Sequence, residues 1–195
     1  MQGVQAARGA SLSPDAAAGE PIGEPGGSGV PTRRRGRFLA WFAAGVTLAW
    51  AFDQVTKVLA VERLAGREPI EIVPGWLELT FLRNPGAAFG MGASLTVALS
   101  LAALVVCVAV VRTATRLHDP VWTLGLGLLL AGALGNLTDR LLREPGVLRG
   151  HVVDFIAYRD WFVGNVADVY LTVAAVLVVW RTWQGVGVDG TREQS

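Results

Sequence analysis

Residues 152–170, VVDFIAYRDWFVGNVADVY, place two aspartates, Asp154 and Asp168, beside an apolar run long enough to enter a bilayer. An ionisable side chain at the centre of a membrane-spanning helix costs about 2.5–3.5 kcal/mol on insertion scales, so both need an explanation. If the two carboxyls meet in a site of low dielectric constant, one ionises and the other keeps its proton. The charged one can take a proton from water while the protonated one donates to a carbonyl oxygen. The pair predicts aspartic-protease chemistry, although helix capping or interfacial solvation explains either residue alone.

Further polar residues stand in or beside apolar segments: Asp53, Lys57, Asn84, Asn136, Asp139, Arg140 and Asn165. Asp53 and Lys57 are four residues apart and share a helix face, so a salt bridge that reaches towards the membrane surface also explains them. An interfacial pair of Asp139 and Arg140 explains their segment equally well. All of these groups fall at the same end of their segments, whereas charges that merely seek the membrane surface would populate both ends. We therefore expect one polar pocket at one membrane surface.

Other chemistries are disfavoured by the residues available. The two histidines, His118 and His151, are far apart in the sequence and lack the spacing of zinc ligands. The single cysteine, Cys107, excludes an intrachain disulfide, and its apolar surroundings favour packing over reactivity. Ser94 and Ser100 are isolated, and Ser94 has no neighbouring base. We expect no metal and no cofactor.

The composition is that of a membrane protein. Of the 195 residues 52% are hydrophobic, and the mean hydropathy is +0.43, which is too apolar for an ordinary soluble domain. A helix needs about 20 apolar residues to cross the hydrocarbon core. Segments of this kind occur at residues 38–61, 93–111, 121–142 and 161–180. The predicted fold class is an all-α membrane protein with four transmembrane helices. The net charge of +1 argues against a nucleic-acid partner.

Residues 1–37 differ in kind from the rest of the chain. They are rich in Gly, Pro and Ala and contain no aromatic residue, so they cannot bury enough apolar surface to fold. We predict a disordered extension here, a membrane domain over residues 38–183, and a short tail over residues 184–195.

Arginines border the apolar segments at one end: Arg33, Arg34, Arg35, Arg37, Arg112, Arg116 and Arg181. By the positive-inside bias, that end and both termini face the cytoplasm, although the opposite loops also contain arginines. The loops at 62–92 and 143–160 then lie outside, next to the polar pocket. Within the first loop, residues 67–83 alternate between apolar and polar on both sides of Pro74 and Gly75. This pattern predicts a small outer β-hairpin.

Blocks of this sequence resemble, in the same order, the lipoprotein signal peptidases (signal peptidase II) of bacteria. They are DQVTK at 53–57, NPGAAFG at 84–90, GALGNLTDR at 132–140, VVDFI at 152–156 and NVAD at 165–168. The resemblance covers about residues 38–183. The sequence departs from the family pattern at Gly164, where the family usually has an aromatic residue.

The resemblance implies a four-helix membrane protein with a β-cradle at about residues 67–83 on the outer surface. It implies an aspartic endopeptidase that removes signal peptides from diacylglyceryl-modified prolipoproteins, cleaving before the lipidated cysteine. The catalytic pair would be Asp154 and Asp168. The residues that orient the substrate and this pair would be Asn84, Asn136, Arg140 and Asn165, with support from Asp53, Lys57 and Asp139. It also implies a bacterial cell-membrane location, a monomer in contact with lipid, and inhibition by the cyclic peptide globomycin.

Two other classes of protein also carry polar residues within membrane segments. A small transporter or channel subunit uses intramembrane Asp and Lys residues to relay protons or ions, but such relays spread along the membrane depth. A structural assembly subunit uses polar groups as interhelical hydrogen bonds. That role does not call for two aspartates beside an outer β-element. The peptidase is favoured over both.

Overall fold

Long helices make up most of the chain in a computed structural model, which describes residues 32–86 and 92–192. The helices are α1 (Thr32–Leu64), α2 (Gly92–Ala114), α3 (Pro120–Leu142) and α4 (Val166–Trp183). The strands are β1 (Ile70–Val73), β2 (Leu77–Asn84), β3 (Val152–Tyr158) and β4 (Phe162–Gly164). Disorder was predicted for residues 1–37, of which residues 1–31 fall outside the described residues, whereas residues 32–37 belong to helix α1. Residues 87–90 of the NPGAAFG block also fall outside the described residues. Helix α1 begins before the predicted apolar segment, because arginine is a good helix former and the basic stretch continues the helix.

Three of the described helices are long and apolar enough to cross a membrane, namely Leu95–Ala114, Pro120–Leu142 and Val166–Trp183. Helix α1 is longer, but Asp53, Lys57 and Glu62 interrupt the apolar character of its second half. The chain therefore has a mostly helical, membrane-type fold.

The strands form one antiparallel sheet in the order β1-β2-β3-β4. Its first half confirms the hairpin predicted at residues 67–83. Its second half corrects the prediction that residues 143–160 form a loop and that the fourth helix begins at residue 161. The reason lies in the residues of β3, which are mostly β-branched or aromatic and suit a strand that is paired on both sides. Helix α4 starts only at Val166, after β4 has paired with β3.

Asn165 caps the start of α4. Its side-chain Oδ1 accepts a hydrogen bond from the backbone of Asp168, while the Asp168 carboxylate accepts one from the backbone of Asn165. This reciprocal arrangement is a capping box, and it satisfies two backbone donors that the first helical turn leaves without partners. Both residues therefore lie at the start of α4.

The apolar core centres on α3. Leu130 and Leu137 of α3 pack with Cys107 and Val110 of α2, and Cys107 is buried as predicted. A second cluster joins the end of α1 to β3 through Leu64, Val153 and Phe155. We call the end of the helices that carries the sheet the sheet end.

The segment after α4 is folded at the end away from the sheet. The indole of Trp122 donates to the Val186 carbonyl oxygen at 2.8 Å, and Val186 pairs with Arg192. Arg181 of α4 forms a salt bridge with Asp119, which caps α3. Residues 184–192 therefore fasten α3 to α4 instead of trailing as a simple tail.

Candidate active site

Asp154 lies in the middle of β3 and is 1% exposed. Its Oδ2 accepts from the Asn84 amide at 2.8 Å, and its Oδ1 accepts from the Asn165 amide at 2.6 Å. Asn84 ends the neighbouring strand β2, and its own Oδ1 accepts from the backbone of Gly86 at 2.8 Å. Because Gly86 holds the Oδ1 end of the amide, the NH₂ end points at Asp154.

Asp168 reaches the same place from the first turn of α4. Its Oδ1 accepts from the Asn136 amide at 3.0 Å, and its Oδ2 accepts from the Asn165 backbone at 3.0 Å. Asn165 therefore contacts both aspartates, through its side chain and through its backbone. Asp168 is only partly buried, so one side of this carboxylate is accessible. The structure thus places the two aspartates on either side of one shared partner, Asn165.

The two carboxyls differ in their electrostatic surroundings. Burial raises the pKa of Asp154 to about 6. Hydrogen bonds from Asn84 and Asn165 oppose this rise in the pKa, and the nearby charge of Asp168 adds to it. A carboxyl that holds its proton towards neutral pH beside a second, more exposed carboxylate is the arrangement that aspartic-protease chemistry needs.

Lys57 is fully buried and has three oxygen partners at the sheet end. Its Nζ lies 3.0 Å from Asp53 Oδ2, 3.0 Å from Asp139 Oδ2 and 3.0 Å from Asn136 Oδ1. The Asp53–Lys57 pair exists, but it lies inside the protein and does not reach towards the membrane surface. The alternative pairing of Asp139 with Arg140 is wrong, because Asp139 instead pairs with Lys57 and Arg143.

Asp53 and Asp139 also accept hydrogen bonds from the backbone next to Asp168 and Asp154. Asp53 Oδ1 accepts from the Ala167 N–H at 2.9 Å, one residue before Asp168. Asp139 Oδ2 accepts from the Val153 N–H at 3.2 Å, one residue before Asp154. The cluster of Asp53, Lys57 and Asp139, which we call the buried charge cluster, thus holds the chain beside each carboxyl.

Arg140 is 7% exposed, and its Nη1 has no hydrogen-bond partner among the described residues. Its charge lies within electrostatic reach of Asp154, Asp139 and Asp168. Gly86 has a φ of +89°, and a Cβ there would lie 3.4 Å from Arg140 Nη2 and 2.8 Å from a Leu99 methyl. A side chain at Gly86 would therefore collide with Leu99 and crowd the guanidinium of Arg140.

Sequence reasoning did not assign three contributors to this site. Gln54 donates to Asp53 Oδ2 at 3.0 Å and to the Gly135 carbonyl oxygen at 3.1 Å. A Cβ at Gly135 would lie 2.5 Å from Asp53 Oδ2, so this glycine admits the carboxylate. Arg143 pairs with Asp139 from the next helical turn. The only sequence signal for Arg143 is its spacing of four residues from Asp139.

Comparisons with known proteins place the chain in a family. The family model described as signal peptidase (SPase) II matches residues 46–184. The lipoprotein signal peptidase of Rhodococcus jostii is 46% identical over 173 residues, which cover 87% of this chain and 86% of the relative. That of Streptomyces coelicolor is 44% identical over 163 residues, which cover 83% of this chain and 80% of the relative.

Two solved structures, each described as a bacterial membrane enzyme, also match the fold. One has a TM-score of 0.64 at 29% identity and covers 74% of this chain and 94% of its own. The other has a TM-score of 0.65 at 26% identity and covers 81% of this chain and 95% of its own. Family model, relatives and fold agree over most of the sequence, and the chain belongs to the lipoprotein signal peptidase (signal peptidase II) family.

Proposed function

We propose that this protein is a membrane-embedded aspartic endopeptidase in which Asp154 and Asp168 form the catalytic pair. Family membership gives the general role, the removal of signal peptides from lipoproteins. The observation that carries the proposal is the hydrogen bonding of both carboxyls to Asn165, one of them buried and one partly accessible. The substrate is a diacylglyceryl-modified prolipoprotein, cleaved before the lipidated cysteine.

The proton assignment follows from the surroundings of each carboxyl. Asp154 is buried with a raised pKa, so it holds the proton and donates it to the scissile carbonyl oxygen. Asp168 is partly accessible and takes a proton from the attacking water, whose oxygen bonds to the carbonyl carbon. The intermediate is then a gem-diol beside an ionised Asp154 and a protonated Asp168. As the carbon–nitrogen bond breaks, one hydroxyl returns its proton to Asp154 and re-forms the carbonyl, and the proton on Asp168 passes to the leaving amine. No metal or cofactor takes part in these steps.

The surrounding polar residues position this reaction. The amides of Asn84, Asn136 and Asn165 fix the two carboxylates. Arg140 offers a buried donor that has no partner within residues 32–86 and 92–192, and such a donor suits a backbone carbonyl oxygen of the substrate. The buried charge cluster of Asp53, Lys57 and Asp139 keeps the two backbone segments in place.

The membrane placement is part of the proposal. All four helices, α1 included, cross the bilayer of a bacterial cell, with the sheet end outside and both termini in the cytoplasm. Support comes from the polar groups, which gather at the sheet end, and from the Asp119–Arg181 pair at the opposite end. The membrane domain covers residues 38–183, between the 1–37 extension and the 184–195 tail. The protein acts as a monomer in contact with lipid, and globomycin-type cyclic peptides inhibit it.

A gel-shift assay with a lipidated prolipoprotein tests the catalytic pair. Asp154→Asn and Asp168→Asn should each abolish cleavage while the protein stays folded and inserted, because each removes one proton-transfer step. Asp160→Asn is the matched control, since Asp160 is an exposed aspartate between the other two, and it should cleave normally. Full activity in either of the first two variants would refute the assignment.

A further inference from the structure

A cavity of about 450 Å³ adjoins Asp168. The β3–β4 turn contributes Tyr158 and Phe162 to its lining, and the first turns of α4 contribute Val169 and Val173. Asp168 and Asn165 are the site residues that border it, and Asp154 is not among its lining residues. A group bound here would therefore contact the accessible side of the catalytic pair.

The aromatic part of this cavity depends on a glycine. The rings of Tyr158 and Phe162 are stacked, with centroids 5.7 Å apart and an interplanar angle of 14°. A Cβ at Gly164 would lie 2.4 Å from Phe162 Cζ and 2.9 Å from Asp168 Oδ2. Only a residue without a side chain lets the Phe162 ring and the Asp168 carboxylate converge on this point. The family usually has an aromatic residue at the position of Gly164, and in this chain the ring of Phe162 occupies the space beside that glycine.

The cavity continues into an exposed apolar strip on α4. Val169, Val173, Val176 and Trp180 are spaced by four, three and four residues, so they share one helix face, and they are 40%, 41%, 64% and 44% exposed. At 1.5 Å per residue, the strip is about 16 Å long. It faces away from the protein along a helix that is long and apolar enough to cross a membrane.

The cavity beside Asp168 and the apolar strip on α4 together suit one chemical group of the substrate. An acyl chain on the lipidated cysteine is held next to the scissile bond at one end and extends into the bilayer at the other. The cavity lining includes Asp168, and through Val169 and Val173 it also borders the exposed apolar strip of α4. A side chain of the signal peptide would end inside the cavity and would not use the strip.

We propose that Phe162, seated over Gly164, is a specificity-determining residue that forms the wall for an acyl chain of the lipidated substrate. This rests on the proposed function, because it assumes a lipid-modified cysteine at the scissile bond. The ring acts on substrate selection, whereas Asp154 and Asp168 carry out the chemistry.

The test uses the full chain in lipid vesicles and two synthetic lipopeptides with one peptide sequence, carrying either palmitoyl or octanoyl chains on the glyceryl cysteine. The quantity measured is the ratio of kcat/KM for the two. Phe162→Ala should lower the palmitoyl preference about tenfold, mainly through KM, as expected for lost apolar contacts in a substrate pocket. Phe162→Leu, which keeps an apolar side chain, should lose less. Dividing by the wild-type ratio removes the different partitioning of the two lipids into vesicles.

Phe52→Ala is the matched control, because Phe52 is a similarly exposed phenylalanine that does not line the cavity. It should keep the wild-type ratio. A second substrate pair, with palmitoyl chains but glycine or alanine before the cysteine, should give the same ratio in the wild type and in Phe162→Ala.

An unchanged lipid ratio in both Phe162 variants would overturn the proposal, and so would a change confined to the peptide pair. The latter result would assign the cavity to a signal-peptide side chain. Failure of the proposed function looks different: the wild type would cleave neither lipopeptide, or cleavage would survive Asp168→Asn. If cleavage depends on Asp168 but the Phe162 variants keep the wild-type lipid preference, only the assignment of Phe162 is refuted.

Discussion

Replacing Lys57 by methionine keeps a long side chain at this position but removes its charge. In the folded protein, Lys57 Nζ is fully buried and lies 3.0 Å from each of Asp53 Oδ2, Asp139 Oδ2 and Asn136 Oδ1. The methionine leaves two buried carboxylates without this partner, although Asp139 keeps Arg143. We expect both stability and cleavage to fall.

The magnitude follows from what each carboxylate loses. Breaking a buried ion pair by removing one partner costs about 3–5 kcal/mol, because the remaining charge stays buried. For a chain of this size, about 2–4 °C of Tm corresponds to each kcal/mol, so Tm should fall by roughly 6–20 °C. Asp53→Asn in the same chain removes one of the stranded charges. The double variant Asp53→Asn/Lys57→Met should therefore regain part of the loss, which a double-mutant cycle measures.

Thermal unfolding in detergent micelles and cleavage of a lipidated prolipoprotein give the two measurements. Arg63→Met is the matched control, since it removes an exposed cation from the same helix and should change stability by less than about 0.5 kcal/mol. If Lys57→Met unfolds at the wild-type temperature, the three contacts do not stabilise the fold as argued. If it also cleaves normally, the buried charge cluster does not position the catalytic pair.

Two further predictions concern Asp154 and Gly135. The pKa of Asp154 is raised from 3.8 to about 6 in the folded state, so the folded chain binds the extra proton and stability falls as pH rises between roughly pH 4 and pH 6. The Tm of the wild type should therefore fall relative to that of Asp154→Asn as the pH rises across this window. Curves of Tm against pH that run parallel for the two proteins would contradict the assignment. Gly135→Ala should lower the free energy of unfolding by about 1–3 kcal/mol and abolish most of the cleavage activity. Its Cβ would lie 2.5 Å from Asp53 Oδ2, and Asp53 cannot move away because Lys57 and the Ala167 N–H hold it. Gly45→Ala, where nothing lies within 4 Å, is the control on α1 and should fold and cleave as the wild type; equal behaviour of the two variants would refute the argument.

Local sequence patterns predicted the helices and the β1–β2 hairpin because each produces a signal within a short window. The apolar segments are long, although polar residues interrupt some of them, and Pro74 with Gly75 marks the turn between two alternating stretches. Strand β3 produces no such signal. VVDFIAY follows no strict alternation, since it pairs with β2 on one side and β4 on the other and is buried along most of its length.

The residues of the candidate site were predictable by type, but their pairing was not. Carboxylates and amides beside apolar segments require an explanation wherever they occur, so Asp53 and Asn136 stand out in the sequence. Which groups meet depends on how the helices pack. The close approach of α3 and α4 at Gly132, where a Cβ would lie 2.7 Å from the Ala167 carbonyl oxygen, brings Asn136 to Asp168. A single sequence carries no measure of that distance.

The buried charge cluster is difficult to explain by stability alone. Well-packed apolar residues of similar volume often match or exceed a buried ion pair in stability, because ions lose their hydration when they are buried. The cluster here does something that apolar residues cannot. Asp53 and Asp139 accept from the backbone N–H groups of Ala167 and Val153, so they fix the main chain one residue before each carboxyl of the proposed catalytic pair. Lys57 joins the two acceptors, and a shift at one aspartate is therefore resisted at the other. On this argument, the charges are retained for the geometry of the pair, and the fold bears the cost of burying them.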